Sequence, residues 1–166
     1  VKDGDIIKGK DWTLQAIHTP GHTSNHLCYS LEEEKILFSG DHVMGWSTTV
    51  IVPPDGNMEE YMQSLEKLLQ RNDKYYLPTH GKMIKNPQDL VKKYISHRIT
   101  RENQIEEAIK SGNNKVIDIV KIIYADVDKK LYPAASMSTL AHLKRMIDND
   151  QIKVSGSNLE GFYEIN

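Results

Sequence analysis

The sequence predicts an α+β fold with its strands mainly in the first half and its helices in the second, and three observations carry that expectation. Short apolar runs of strand length fill most of the first eighty residues. Longer runs with helical periodicity follow at residues 57–70 and from Asn86-Pro87 onward. Strand-like patterning returns only at Ile152, around Gly156 and Gly161. At 166 residues, 27% charged and 39% hydrophobic, the chain suits one ordinary domain or a domain with a small appendage, and it is long enough to bury a core.

Taken in order, Asp3-Gly4-Asp5 is a turn between extended pieces, and Trp12 to Ile17 alternates as a half-buried strand does. A second strand is expected from His26 to Leu31 and a third from Ile36 to Phe38, joined by the polar hairpin turn Glu32 to Lys35. Val43 to Asp55 reads as a long loop ending in the breaker Pro53-Pro54-Asp55-Gly56. Asn57 is placed to cap a helix reaching about Gln70, with Glu60 as its capping-box partner. Met58, Tyr61, Met62, Leu65, Leu68 and Leu69 form that helix's apolar stripe, a packing face rather than a cofactor site. Asp73 to Leu77 is the last strand of the first half.

Pro87 opens the next helix at a first-turn position that needs no amide proton. A second helical segment, Ile99 to Ile109, runs to the stop Ser111-Gly112-Asn113-Asn114. Helices at Val116 to Tyr124 and Ser138 to Asp148 and a terminal hairpin complete the order helix, helix, helix and β-wing, which is that of a winged helix. The boundary between the two parts is placed near Arg98.

Three strand-like runs end at small-residue turns that each deliver an imidazole or a carboxylate. Ile17-His18-Thr19-Pro20-Gly21-His22 delivers His22, Ser39-Gly40-Asp41 delivers Asp41, and Pro78-Thr79-His80-Gly81 delivers His80. A lone loop histidine is more often solvated than metal-bound, but three such strand ends in order point to one site, because strand-end loops are where sites are built. Neutral imidazole and carboxylate are ligands for zinc, and zinc acidifies bound water to a pKa of about 7. A metal-dependent hydrolase is therefore expected.

These motifs, T-P-G-H-T, then S-G-D, then T-H-G, resemble the later motifs of the metallo-beta-lactamase superfamily. The stretches G-D-H-V-M-G-W-S-T, P-P-D-G-N-M-E-E-Y-M-Q-S-L and Y-I-S-H-R-I-T-R-E-N-Q-I resemble its beta-lactamase-like protein 2 branch and bacterial relatives. The resemblance implies the second half of an αββα sandwich over residues 1–97 and a winged-helix-like domain over residues 98–166. It implies that His22 ligates a first zinc ion, that Asp41 bridges two, that His80 ligates the second, and that a zinc-bound hydroxide attacks the electrophile. The early H-x-H-x-D-H cluster of the family is absent from these residues. A missing N-terminal half is accordingly expected upstream of Val1, and this chain alone is expected to hold its metals poorly and to be inactive.

The implied substrates are RNA phosphodiesters or small esters and thioesters. The competing reading is a nucleic-acid-binding or protein-interaction module acting through the winged helix, without catalysis. Residues 98–166 hold ten Lys plus Arg against ten Asp plus Glu, which gives no basic footprint. Half a sandwich leaves a sheet face open, so a covering partner or self-association is expected through Trp12, Leu14, Ile17, Leu27, Ile36 and Phe38.

His18 and His26 are expected to orient the site, His42 to lie in a loop, His97 to pack at a helix or site edge, and His142 to be surface or packing. Thr79 stands where many relatives have glycine and is expected to alter the approach of His80. A net charge of -2 attracts no polyanion over the whole molecule. The lone Cys28, in an apolar run, fits a reducing, cytoplasmic setting. No run approaches the roughly 20 apolar residues that span a membrane.

Overall fold

The computed structural model describes residues 1–166 and divides them into two compact units. Unit one comprises residues 1–50 and 55–96; unit two comprises residues 51–54 and 97–166.

Unit one is a five-stranded sheet with helices on one side. Its strands are β1 (Ile6–Lys8), β2 (Thr13–His18), β3 (Leu27–Leu31), β4 (Ile36–Gly40) and β5 (Tyr75–Pro78), hydrogen-bonded in that order. The first four form an antiparallel meander, and β5 lies parallel to β4 after the crossover helix α1 (Met58–Leu69). Register decides which side chains share a face. Ile17 pairs with Cys28, Ser30 with Leu37, and Leu37 with Tyr76, so these five lie on one face, and all are buried. Helix α1 buries Met58, Tyr61, Met62, Leu65 and Leu68, and the Tyr76 hydroxyl of the covered face donates to Leu68 O.

The opposite face carries Leu14, Tyr29, Leu31, Ile36, Phe38, Tyr75 and Leu77. Phe38 is 40% exposed and Tyr75 36%. Ile17, expected on this open face, belongs to the covered one: its partner is Cys28, whereas Ala16 opposes Tyr29. The remaining five expected residues are exposed or half-buried.

Asn57 caps α1 as expected, its Oδ1 accepting from Glu60 N–H at 3.1 Å. The reciprocal half of the capping box is replaced by a tertiary bond, because Asn57 N–H donates to Gly21 O at 2.9 Å and ties the helix start to the His22 turn.

The two helical segments expected after Asn86 are one helix, α2 (Pro87–Lys110), since Ser96-His97-Arg98 contains no breaker. The unit boundary falls within it, between Ser96 and His97.

Unit two continues with α3 (Val116–Ile123), α4 (Tyr132–Asp148) and the antiparallel hairpin β6 (Ile152–Ser155) and β7 (Phe162–Ile165). Helix α4 begins six residues before the expected Ser138, because Pro133 sits in its first turn, where a missing amide proton costs nothing. Ile105, Ile119, Val120, Leu143, Met146, Ile152 and Tyr163 form the core of this unit. His142, expected at the surface or in packing, is fully buried, with Nδ1 3.1 Å from Glu102 Oε1. Arg145 donates to the other oxygen of Glu102.

Candidate functional site

Three strand ends meet at one edge of the unit-one sheet. His22 follows β2, Asp41 follows β4 and His80 follows β5, and strand order places β4 next to both β3 and β5. His22 Nε2 lies 4.0 Å from Asp41 Oδ2, and His80 Nε2 lies 3.6 Å from Asp41 Oδ1. Each carboxylate oxygen therefore faces a different imidazole, at separations too long for a hydrogen bond. Asp41 Oδ1 is shielded and has no hydrogen-bond partner.

The orientation of His22 follows from groups that sequence reading missed. Its Nδ1 lies 2.7 Å from Val50 O, which only accepts, so the ring proton sits on Nδ1 and the Nε2 lone pair is turned to Asp41. Thr49 Oγ1 lies 3.1 Å from the same Nδ1. The His22 turn is clamped from outside by Asp55, whose Oδ1 accepts from both N–H and Oγ–H of Ser24. It is also clamped by Ser64, whose hydroxyl donates to Pro20 O. Nothing local in the sequence marks the Val50 carbonyl as a partner of His22, 28 residues away.

His26 supports Asp41 instead of joining it, accepting from the Asp41 backbone N–H at 3.2 Å. Its close approach explains the glycine of S-G-D: Gly40 has φ +55°, and a Cβ there would stand 2.5 Å from His26 Nε2. Burial, then the neighbouring His22, holds His26 below its ordinary pKa. His18 turns away, its Nε2 bonding to Ser24 O at 2.9 Å.

His42, expected in a loop, is completely buried between His26 and Tyr61. Neither of its ring nitrogens is hydrogen-bonded, and burial, reinforced by His26 and His22, holds its pKa well below the ordinary value. Thr79 does not strain the approach of His80. Its N–H donates to Gly40 O, and the positive φ of this turn falls on Gly81 at +100°. Trp46 is 75% exposed. His97 belongs to unit two, where burial, then Arg98, lowers its pKa.

Imidazole and carboxylate suit a zinc-class ion chemically, and three features of this cluster fit one. One histidine has its tautomer fixed from behind, an imidazole Nε2 faces each carboxylate oxygen, and one of those oxygens is shielded and unpartnered. The fit is partial. No three of these side chains approach closely enough to form a complete metal-holding group.

Residues 1–80 match the family model described as metallo-beta-lactamase superfamily, and residues 116–160 match that of the beta-lactamase associated winged helix domain. Residues 1–80 carry a metallo-beta-lactamase superfamily domain. Among curated relatives, a beta-lactamase-like protein 2 homolog of Drosophila melanogaster is 35% identical over 90% of this chain and 51% of its own length. The corresponding Caenorhabditis elegans protein is 35% identical over 88% of this chain and 48% of its own. An atrochrysone carboxyl ACP thioesterase of Aspergillus fumigatus is 36% identical over 67% of this chain and 34% of its own. The chain thus spans about half the length, or less, of the relatives it matches.

The same fold recurs in two solved structures, each covering all of this chain. A metallo-beta-lactamase family protein from Thermus thermophilus has a TM-score of 0.86 at 18% identity, this chain covering 54% of it. A beta-lactamase domain protein from Burkholderia ambifaria has a TM-score of 0.87 at 21% identity, this chain covering 52% of it. The superfamily is one of hydrolases that generally bind metal ions.

Proposed function

We propose that this chain carries the later ligands of a metal-dependent hydrolase site, with His22 on one ion, His80 on another and Asp41 bridging them. The observation that carries the reading is the Asp41 carboxylate, each oxygen of which faces a different imidazole. Two dications a few ångströms apart need shared anionic charge between them, and a carboxylate flanked in this way supplies it. Zinc suits the donor set, and when bound it supplies Lewis acidity that activates water for attack on an electrophile. His22 and His80 would hold the ions and Asp41 would supply the shared charge between them, and the Val50 carbonyl keeps His22 in the tautomer that ligation needs.

Three donors cannot complete two coordination shells, so the reading includes further ligands from outside these residues. The same covering segment or partner is proposed for the open sheet face around Phe38 and Tyr75.

A small thioester is the favoured substrate over RNA, because relatives of this chain bear thioesterase names and the unit carrying the winged-helix match has balanced charge. The test is hydrolysis of an S-acyl thiol and of a labelled single-stranded RNA by the complete gene product with zinc. Asp41→Asn and His80→Ala serve as controls. Thioester turnover that both substitutions abolish is expected. Turnover of RNA alone would overturn the substrate, and full activity in Asp41→Asn would overturn the site.

A further inference from the structure

The turn presenting Asp41 is closed by a ring of hydrogen bonds that begins and ends on it. Asp41 N–H donates to His26 Nε2 at 3.2 Å. His26 Nδ1 lies 2.9 Å from Thr19 Oγ1, Thr19 Oγ1 lies 3.2 Å from Cys28 Sγ, and Cys28 Sγ donates to Ser39 O at 3.6 Å. Ser39 stands two residues before Asp41, so the path leaves the chain just after β4 at Asp41 and returns to β4 at Ser39.

The two ends determine the direction of every bond between them. A backbone amide only donates and a carbonyl only accepts. With Nε2 accepting from Asp41, the imidazole proton must sit on Nδ1 and be given to Thr19. The threonine hydroxyl proton then goes to sulfur, and the thiol proton goes to Ser39 O. Thr19, Cys28 and Ser39 are fully buried, so water does not compete for these groups. Burial raises the Cys28 thiol to about 12, which keeps its proton available for the last bond.

We propose that His26 is the positioning residue of the site: held as the Nδ1–H tautomer by Thr19 and Cys28, it fixes the Asp41 backbone so that both carboxylate oxygens face His22 and His80. The proposal rests on the reading of Asp41 as the bridging ligand. His26 itself touches no ion in this scheme. Its effect passes through the Asp41 amide, and Gly40 is what lets the ring come that close.

The test has two readouts, one on the 166-residue chain and one on the complete gene product. Nitrogen-15 NMR of the His26 ring and hydrogen exchange of the Asp41 amide report the positioning without any metal. Titration of the complete gene product with Co²⁺, followed by its visible absorption, reports the site. In the unaltered chain His26 should be the Nδ1–H tautomer and the Asp41 amide protected. Thr19→Val keeps the side-chain shape and should release the ring to a mixture of tautomers. His26→Ala should expose the Asp41 amide and weaken Co²⁺ binding by roughly tenfold to a hundredfold, the range seen when an outer hydrogen-bond partner of a metal site is lost. His26→Gln, whose side-chain oxygen can accept from the Asp41 amide, should restore both, whereas His26→Leu, which fills similar space without an acceptor, should restore neither.

An Nε2–H tautomer in the unaltered chain, or an Asp41 amide equally protected in folded His26→Ala, overturns the proposal. If the NMR results hold while the complete gene product binds no Co²⁺, the hold of His26 on Asp41 stands, and the metal reading of the site fails.

Discussion

Replacing Gly40 by alanine tests the packing that brings Asp41 into place, and its cost can be worked from two terms. Gly40 has φ +55°, and a side chain in that region costs about 1–2 kcal/mol. The new Cβ would also stand 2.5 Å from His26 Nε2 and 3.0 Å from its Cε1, so the ring must withdraw. Withdrawal breaks the bond from Asp41 N–H, worth about 1 kcal/mol. The sum is about 2–3 kcal/mol. Both tryptophans, Trp12 and Trp46, lie in unit one, so urea unfolding followed by tryptophan fluorescence reports that unit. With a slope of about 2 kcal/mol per molar urea, the midpoint should fall by about 1–1.5 M. In a His26→Ala background the clash is gone and only the backbone term remains, so Gly40→Ala should cost about 1 kcal/mol less there. A midpoint shift below about 0.3 M, or a double-mutant cycle additive within about 0.3 kcal/mol, would refute the claim that His26 occupies the space glycine leaves.

Asn57→Ala should remove the cap on α1 and destabilise unit one by about 1 kcal/mol, read as a fluorescence midpoint lower by about 0.5 M urea. Unit two should lose stability in mild acid. Burial lowers the folded pKa of His142 below its ordinary value of 6.5, so the unfolded chain binds the proton more readily. The stability it contributes is fully present above about pH 6.5 and is lost as pH falls toward the lowered folded value. Far-ultraviolet melts at about pH 7.5 and about pH 5 should show this, and His142→Asn should flatten the difference; an equal pH response in that variant would count against it. Phe38→Glu should reduce binding of a hydrophobic dye and any self-association of the isolated chain, since it places a charge in the middle of the open face. Unchanged light scattering and dye fluorescence would show that this face is not the sticky one.

The strands and helices were largely legible because periodicity and caps act locally. Asn57, Pro87 and Gly112 mark ends through backbone geometry that depends on a few neighbours. The same local reasoning divided α2, since a polar stretch such as Ser96-His97-Arg98 looks like a pause when no partner is known. It also put Ile17 on the wrong face. A one-residue difference in pairing inverts a strand, and only the register with Cys28 settles it.

His22, Asp41 and His80 were legible as three donors at the ends of apolar runs, and their residue types alone pointed to metal chemistry. That they converge is decided by strand order and by the parallel pairing of β4 with β5, which brings positions 41 and 80 to the same sheet edge. Which nitrogen of His22 faces Asp41 depends on the Val50 carbonyl, and the tautomer of His26 depends on the Asp41 amide, with Thr19 taking the ring proton; none of these partners carries a chemical signature in the sequence. Sequence by itself determined the residue types, the turns that carry them and the order of the elements, because those depend on contacts a few residues apart. Only the tertiary structure decided orientation, burial and protonation, as for His42 and His142, because those depend on which distant groups replace water around each side chain.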